Sequence, residues 1–242
     1  MKVIVVKDYT EMCKRASRIF AAQVTLKPDS VLGLATGSTP VGMYKELVQM
    51  FDEGRIDFSQ VKTVNLDEYA GLPGDNDQSY RYFMNQNLFD HINIDKANTN
   101  VPDGTAADLQ AECERYEQVV ASMGGVDIQL LGIGNNGHIA FNEPCDEFPE
   151  KTTVVDLTQN TIEANARFFQ SMDEVPKQAI TMGIGTIMKA KKIVLLANGP
   201  KKAQTIYDTV YGPITPKVPA SILRLHPDVT IFVDEEAGAL LK

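Results

Sequence analysis

The stretch LLGIGNNGHIAFNEP, residues 130–144, brings together side chains that can transfer protons. His138 lies five residues before Glu143, and the chain contains only three histidines. Histidine is the usual proton carrier near neutral pH, and a nearby carboxylate can orient its ring and stabilise its charged form. The pair is therefore a candidate for acid–base chemistry, although a lone loop histidine is more often structural.

The same stretch also spells G-x-G-x-x-G with Gly132, Gly134 and Gly137, the pattern of a loop that cradles a dinucleotide. Such a cradle must open a helix, because the helix N-terminus holds the pyrophosphate. Here Pro144 and Pro149 interrupt the following residues, which carry no helical stripe of apolar side chains. The context argues against a cofactor loop and favours a catalytic loop.

The cysteines argue against a metal site and against a disulfide framework. Cys13, Cys113 and Cys145 are odd in number and form no C-x-x-C pair. The H-x-E and P-C-x-x-C signature of zinc deaminases is not matched around His138 and Cys145. Free cysteines are typical of a reducing compartment, so we expect a cytoplasmic protein without a metal.

Charge and hydropathy narrow the classes of partner. The net charge is −9 and the chain has no long basic run, which argues against nucleic acid and anionic membrane surfaces. The apolar run at 3–6 is too short for a signal-peptide core, and no stretch reaches the length of a membrane span. An anionic small molecule needs a locally positive pocket in so acidic a protein.

Short apolar runs alternate with helical patterns along the chain. The predicted strands are 3–6, 30–35, 62–66, 126–131, 152–157, 191–198 and 229–234. The predicted helices are 12–24, 40–51, 79–92, 107–122 and 161–169. This order predicts an α/β fold with one domain over residues 1–242, a mostly parallel, doubly wound, Rossmann-like sheet with helices on both faces.

Polar clusters follow four of these strands. They are TGSTP (36–40), DEY (67–69), GNNGHIAFNEP (134–144) and NGPKKA (198–203). In open α/β sheets, ligands bind outside the carboxyl ends of the strands. We therefore expect the four clusters to line one site.

The cluster TGSTP has the residues of a phosphate-binding loop. Gly37 lets the backbone approach a ligand closely, and Ser38 and Thr39 offer hydroxyl groups. Pro40 suits the first turn of a helix, whose N-terminus presents free N–H groups to an anion. From the residues alone, a capped turn without a ligand is an equally good interpretation.

Five segments together resemble the glucosamine-6-phosphate deaminase family. They are TGSTP, NLDEYAGL, GIGNNGHIAFNEP, ARFF and PASILRLHP, and they are spread over nearly the whole chain. The resemblance implies the fold shared by these deaminases and 6-phosphogluconolactonases. It also implies a cytoplasmic hydrolase of amino-sugar catabolism that converts glucosamine 6-phosphate and water into fructose 6-phosphate and ammonia, without metal or organic cofactor.

The resemblance assigns roles in proton transfer. Asp67 matches the base that removes a proton from C2 and returns it to C1 of the sugar. His138 matches the residue that moves a proton between O5 and O1 to open the ring, and Glu143 matches its carboxylate partner. Glu68, next to the base, is expected to be structural.

Asn136 departs from the family, because many members have aspartate at this position in contact with the histidine. An amide can orient the imidazole but carries no charge to stabilise its protonated form. We expect Glu143 to be the main electrostatic partner of His138 in this chain.

The resemblance also implies a phosphate site. Its residues are Thr36, Gly37, Ser38, Thr39, Arg167 and Lys202. The two cations would supply the local positive charge that an acidic protein needs, whereas Lys201 is expected to face solvent. Residues from about 151 to 182 match a lid in the family, and Arg167 lies within it, so phosphate binding would couple to closure.

Longer family members are hexamers activated by N-acetylglucosamine 6-phosphate. The sequence stops at Lys242 without their C-terminal extension, and in EKTTVVDL (150–157) Lys151 is the only cation. We expect a monomer that this ligand does not activate.

Two other functions are weighed against the deaminase. A 6-phosphogluconolactonase-like hydrolase would share the fold, the glycine loop and the phosphate site, but not the LDEY and FNEP segments found here. A non-catalytic sugar-phosphate sensor domain would accompany a DNA-binding helix-turn-helix, for which the chain has neither spare length nor basic charge. Because Asp67, His138 and Glu143 are all present, the sequence favours the enzyme.

Overall fold

The computed structural model describes residues 1–159, 162–163, 169 and 171–241. In chain order its strands are β1 (Lys2–Val6), β2 (Val31–Leu34), β3 (Lys62–Asn65), β4 (Asp67–Tyr69), β5 (Thr99–Asn100), β6 (Ile128–Leu131), β7 (Thr153–Asp156), β8 (Gln178–Thr181), β9 (Ile193–Ala197) and β10 (Val229–Asp234). Seven of them form one sheet in the order β1-β10-β9-β6-β2-β3-β5, and all neighbours in it are parallel. The predicted mostly parallel sheet is confirmed.

The central strands are short and apolar because they are covered on both faces. Every residue of β2, β6, β9 and β10 is buried. Side chains on successive strand residues point to opposite faces, so a strand buried on both faces needs a nearly continuous apolar run. The runs VLGL, IVLLA and VTIFVD meet that need.

Three of the six α-helices that the structure describes begin after a residue whose side chain caps them. The six helices are α1 (Tyr9–Leu26), α2 (Val41–Asp52), α3 (Tyr80–Asn87), α4 (Leu109–Ser122), α5 (Ile184–Ile187) and α6 (Ala203–Tyr211). Short 3-10 helices lie at Phe89–His91, Lys96–Asn98, Met172–Glu174, Pro200–Lys202 and Pro219–Leu225. Asp8, Ser79 and Asp108 cap α1, α3 and α4 by accepting from first-turn N–H groups, whereas α2 follows Pro40 without a side-chain cap. None of the helices in the described part of the chain has the length and apolarity needed to cross a bilayer.

A second, antiparallel sheet has the order β4-β8-β7. The strand predicted at 152–157 is confirmed as β7, but it belongs to this small sheet and not to the main one. The strands β4, β5 and β8 and the helices α5 and α6 were not predicted from the sequence. The helix predicted at 161–169 falls mostly outside the described residues.

The strand order places the four polar clusters side by side. The strands β9, β6, β2 and β3 are consecutive neighbours in the sheet, and each is followed by one of the clusters. From β2 the chain continues towards one edge through β3 and β5, and β6, β9 and β10 lie on the other side. Such a switch point opens a crevice at the carboxyl ends of the strands, where ligands bind in this class of fold.

Candidate active site

The loop after β6 holds the histidine and its carboxylate partner together. The Nδ1 atom of His138 lies 3.2 Å from Oε1 of Glu143, an ion-pair distance at which the ring is not aligned for a hydrogen bond. The exposed fractions of the two side chains are 24% and 14%, so water is partly excluded from the pair. The arrangement gives the imidazole a carboxylate that stabilises its protonated form.

Asn136 contacts the carboxylate and not the imidazole. Its Nδ2 donates to Oε2 of Glu143 at 2.6 Å, and its Oδ1 accepts from the backbone N–H of His138 at 3.2 Å. Asn136 therefore does not contact the imidazole ring as expected. It contacts Glu143, and Glu143 in turn contacts the ring. The reason is the tight turn of the loop, in which the N–H of Gly134 donates to the carbonyl of His138 at 2.9 Å.

Two positions in this loop require glycine, and one of them makes room for the histidine ring. A side chain at Gly134 would place its Cβ within 2.3 to 2.4 Å of three atoms of the His138 ring, so the ring packs directly on the glycine backbone. Gly137 has a φ of 88°, a left-handed conformation that favours glycine. No helix begins between residues 138 and 152, all of which the structure describes, so the helix that a dinucleotide cradle requires is not there.

The histidine loop is tied to the small sheet. The N–H of Phe141 donates to Oγ1 of Thr181 at 3.0 Å, and Nδ2 of Asn142 donates to the carbonyl of Met182 at 2.9 Å. In the register of the antiparallel pair, Thr181 is the direct partner of Asp67. Thr181 and Asn142 therefore link the histidine loop to the strand of the candidate base. The sequence did not identify Thr181 or Asn142 as linking residues, because the link depends on how the histidine loop packs against the paired strands.

Asp67 is a buried carboxylate at the start of β4. It is 6% exposed, and burial, with a smaller effect from the charge of Glu68, raises the pKa of the Asp67 carboxyl to about 8. A carboxylate with a pKa near the working pH is an effective general base, because its conjugate acid can also return the proton.

Glu68 points to the other face of β4 and caps a helix. Its carboxylate accepts from the N–H groups of Tyr69, Tyr80 and Arg81 at 2.8, 2.9 and 2.9 Å. Burial raises the pKa of Glu68, and these N–H bonds oppose the shift. The geometry gives Glu68 a structural task at the N-terminus of α3, next to the Asp67 strand.

Aromatic rings fill the space beside the base and the histidine loop. The ring centre of Tyr69 lies 4.7 Å from that of Tyr80 and 5.9 Å from that of Phe141. Phe169 meets Tyr69 edge-on at 6.0 Å, so a residue of the expected lid segment contacts the strand that holds the base. Arg167, the predicted phosphate ligand in this segment, lies outside the described residues.

The loop TGSTP connects β2 to α2. Gly37 has a φ of 99°, which requires glycine, and the neighbouring Thr36 is partly buried while Ser38 is exposed. Oγ1 of Thr39 donates to Oδ1 of Asn198 at 3.1 Å, which joins this loop to the one that follows β9. α2 begins directly after this loop, so its first turn lies near the carboxyl end of β2, and it has no side-chain cap.

Lys202 lies in the loop after β9 and is withdrawn from water. Burial, with a smaller effect from the charge of Lys201, lowers the pKa of the Lys202 ammonium to about 8. Lys201 is exposed, as expected. The loop is held by Asp234 at the end of β10, whose two carboxylate oxygens accept from the N–H of Gly199 at 3.1 and 3.0 Å.

The described residues contain no cluster of side chains that could hold a metal ion. Among the described residues, no three histidine, cysteine, aspartate or glutamate side chains are grouped to hold a metal ion. The side chains at the sheet edge are instead suited to proton transfer and anion binding: a buried carboxylate, a histidine–carboxylate pair and a half-buried lysine directly before α6.

Comparisons with known proteins agree with this arrangement. The model of the family described as glucosamine-6-phosphate isomerases/6-phosphogluconolactonase matches residues 8–232. A glucosamine-6-phosphate deaminase of Clostridioides difficile is 57% identical over 100% of this chain and 97% of its own length. The solved structure of a monomeric glucosamine-6-phosphate deaminase superposes with a TM-score of 0.97 at 50% identity, covering 99% of this chain and 100% of that one.

More distant structures share the fold alone. A 6-phosphogluconolactonase from Trypanosoma cruzi superposes with a TM-score of 0.77 at 21% identity, over 100% of this chain and 97% of that one. The match of the family model over most of the chain, together with full-length identity above one half, settles the assignment. The chain belongs to the glucosamine-6-phosphate isomerase/6-phosphogluconolactonase family.

Proposed function

We propose that the protein converts glucosamine 6-phosphate and water into fructose 6-phosphate and ammonia. The observation that carries the proposal is the histidine–carboxylate pair, which Thr181 and Asn142 fasten to the strand of the buried base Asp67. The similarity to deaminases over the full chain supports the same substrate. In net terms the reaction consumes water and releases the amino group, so it is a hydrolytic deamination coupled to an aldose–ketose isomerisation.

The reaction begins by opening the sugar ring. His138 gives a proton to the ring oxygen O5 and takes one from the O1 hydroxyl, which leaves an aldehyde at C1. Glu143 stabilises the imidazolium at 3.2 Å and keeps the ring oriented, and Asn136 fixes that carboxylate by donating to its second oxygen. The open-chain sugar then presents its C2 hydrogen to the base.

Asp67 isomerises the open chain. Its carboxylate removes the C2 proton while His138 returns to O1 the proton it took there, which gives an enolamine with a hydroxyl at C1. The Asp67 carboxylic acid then gives its proton to C1, which leaves a protonated imine at C2. Water adds to this imine and ammonia departs, so the keto sugar phosphate is formed. The raised pKa of Asp67 suits both steps, because neither protonation state is strongly favoured near pH 8.

The phosphate would bind at the N-terminus of α2. Residues 36–39 and the half-buried Lys202 supply backbone N–H groups, hydroxyls and a positive charge, and the resemblance adds Arg167. We further propose that residues from about 151 to 182 act as a lid over the sugar, an idea supported by the contact between Phe169 and Tyr69. Three free cysteines support a cytoplasmic location.

An end-point assay tests the proposed function. Purified protein is incubated with glucosamine 6-phosphate in the presence of EDTA, and ammonia and fructose 6-phosphate are both quantified. We expect equal amounts of the two products. Hydrolysis of 6-phosphogluconolactone without ammonia release would establish the lactonase instead, and binding of the sugar phosphate without any product would point to a sensor.

A further inference from the structure

Tyr9 reaches from another helix into the loop that we assign to the phosphate. It is the first residue of α1, and its hydroxyl oxygen accepts from the N–H of Gly42 at 2.9 Å. The same hydroxyl lies 3.0 Å from the carbonyl of Thr39 and 3.2 Å from that of Ser38, and it donates its hydrogen to them. One side chain therefore bridges the end of the TGSTP loop and the second residue of α2.

This contact replaces the missing cap of α2. A serine or threonine before a helix normally accepts from an N–H of the first turn, but here the position is taken by Pro40. The hydroxyl of Thr39 is directed to Asn198 instead. Because the cap comes from Tyr9, the hydroxyls of Ser38 and Thr39 are not needed to cap α2.

The packing around Tyr9 leaves the hydroxyl little freedom. A Cβ added at Gly42 would lie 2.9 Å from both the hydroxyl and a ring carbon of Tyr9, and 2.6 Å from the sulfur of Cys13. Glycine at position 42 thus permits α1 and α2 to approach at this point. Burial raises the pKa of Tyr9 to about 12, so the phenol keeps its hydrogen across the pH range of the assay.

The loop is fixed at three points. The hydroxyl of the buried Tyr44 donates to the carbonyl of Ala35 at 2.6 Å and accepts from its N–H at 3.2 Å, which fixes the start of the loop. The hydrogen bond from Thr39 to Asn198 fixes the side of the loop that faces β9. Tyr9 fixes its end, where the backbone enters the helix.

We propose that Tyr9 is a positioning residue for the phosphate group of the substrate: its hydroxyl holds residues 38–42 in the conformation that presents the first turn of α2 to the anion. The proposal rests on the proposed function, because it takes the same loop as the phosphate site. A group that acts only on the phosphate end changes substrate binding and leaves the barrier of the proton transfers unchanged.

The test compares Tyr9→Phe with Tyr207→Phe, which removes the hydroxyl of an exposed tyrosine on α6. KM and kcat are measured with glucosamine 6-phosphate, and the dissociation constant of inorganic phosphate is measured by calorimetry. We expect Tyr9→Phe to raise KM and the phosphate dissociation constant about threefold to tenfold, the factor for one or two lost hydrogen bonds, with kcat within about twofold. Tyr207→Phe should match the wild type in all three values.

Two outcomes would overturn the proposal. Unchanged phosphate affinity in Tyr9→Phe would show that the hydroxyl does not shape the anion site, and a fall in kcat at constant KM would place its effect on the chemical steps. The phosphate measurement also separates this proposal from the proposed function. A wild type that binds phosphate but forms no product refutes the deaminase, while weaker phosphate binding by Tyr9→Phe would still support the role of Tyr9.

Discussion

Asp67 and Lys202 are ionisable side chains that folding removes from water, and burial shifts their pKa values in opposite directions. Burial disfavours the charged form of each, so the pKa of the acid rises and that of the lysine falls, both to about 8. Burial favours the neutral forms of both side chains, whereas the proposed reaction needs Asp67 as a carboxylate and Lys202 as an ammonium ion. The two charged forms coexist only in a narrow range, which predicts a kcat/KM that falls on both sides of about pH 8.

The alkaline limb of that profile tests Lys202. As the pH rises through about 8 the ammonium loses its proton, so its attraction for the phosphate dianion is lost and KM rises. In Lys202→Arg the guanidinium stays charged at any accessible pH. We expect weaker binding but a KM that no longer rises with pH in this variant. An unchanged alkaline limb in Lys202→Arg would assign the titration to another group.

Asn136 is tested by restoring the aspartate of many relatives. In Asn136→Asp two carboxylates would face each other where an amide now donates at 2.6 Å to Glu143, and their mutual repulsion favours a proton on the pair or on His138. We expect the acidic limb of the kcat profile, which Asp67 and the histidine–carboxylate pair set together, to move to higher pH. If the limb stays in place, Asn136 is not coupled to the titrating group.

At the scale of elements, a buried carboxylate fastens the ends of the sheet that lie away from the site. Asp127, just before β6, accepts from Lys27 at 2.6 Å, from Lys191 at 2.7 Å and from the N–H of Val31 at 2.8 Å. Burial by itself would raise the pKa of Asp127, but the bonds from the two lysines and from Val31 outweigh it and hold the pKa below its usual value. These contacts join α1, β2, β6 and the segment before β9.

Asp127→Asn should lower the stability without changing the catalytic constants. Since the folded-state pKa is depressed, the stabilisation is present above the unfolded-state value of about 3.9 and is lost as the pH falls through the folded value. The lysines are partly exposed and can be rehydrated, so we expect the free energy of unfolding to fall by about 1–2 kcal/mol at pH 7, and this difference to shrink as the pH falls below about 3.9. Denaturant unfolding at several pH values measures it.

The control is Asp146→Asn, which breaks an ion pair to Lys217 at a carboxylate that is 97% exposed. An exposed pair of this kind contributes little, so the midpoint of unfolding should not move. Equal midpoints for Asp127→Asn and the wild type at pH 7 would contradict the structural role of Asp127.

Which elements the sequence predicts depends on what stabilises them. The strands β2, β6, β9 and β10 are specified by their own apolar runs, and the structure confirms them. The strands β4 and β8 have three and four residues, DEY and QAIT, and exist because β8 pairs with β4 on one side and with β7 on the other. Short segments held by distant partners carry no periodic pattern, so sequence reasoning misses them.

In the site, too, contacts within one loop can be predicted from the sequence, whereas contacts between distant segments cannot. The type and spacing of His138 and Glu143 predict their contact, because both lie in one loop. The contact of Asn136 with Glu143 and the cap that Tyr9 gives to α2 depend on how the backbone turns and on which helices meet. Those contacts become visible only once the fold is known.

At the scale of the whole molecule, we propose a monomer without activation by N-acetylglucosamine 6-phosphate. The similarity to a monomeric deaminase at a TM-score of 0.97 supports this proposal. Light scattering should give the mass of one chain, and the dependence of rate on substrate should be hyperbolic. Sigmoidal kinetics that become hyperbolic when the acetylated sugar is added would contradict it.

The proton transfer by Asp67 is the central claim, and a single turnover in heavy water tests it most directly. The wild type should give fructose 6-phosphate that carries deuterium at C1 in those turnovers in which the proton on Asp67 exchanges with solvent before it is returned, and the hydrogen from C2 in the others. Asp67→Asn should bind glucosamine 6-phosphate but form this product about 10²–10⁴ times more slowly, the usual effect of losing a general base. The control Asp75→Asn, an exposed acid in the loop after β4, should behave as the wild type. Turnover by Asp67→Asn at the wild-type rate, with deuterium still entering at C1, would contradict the account.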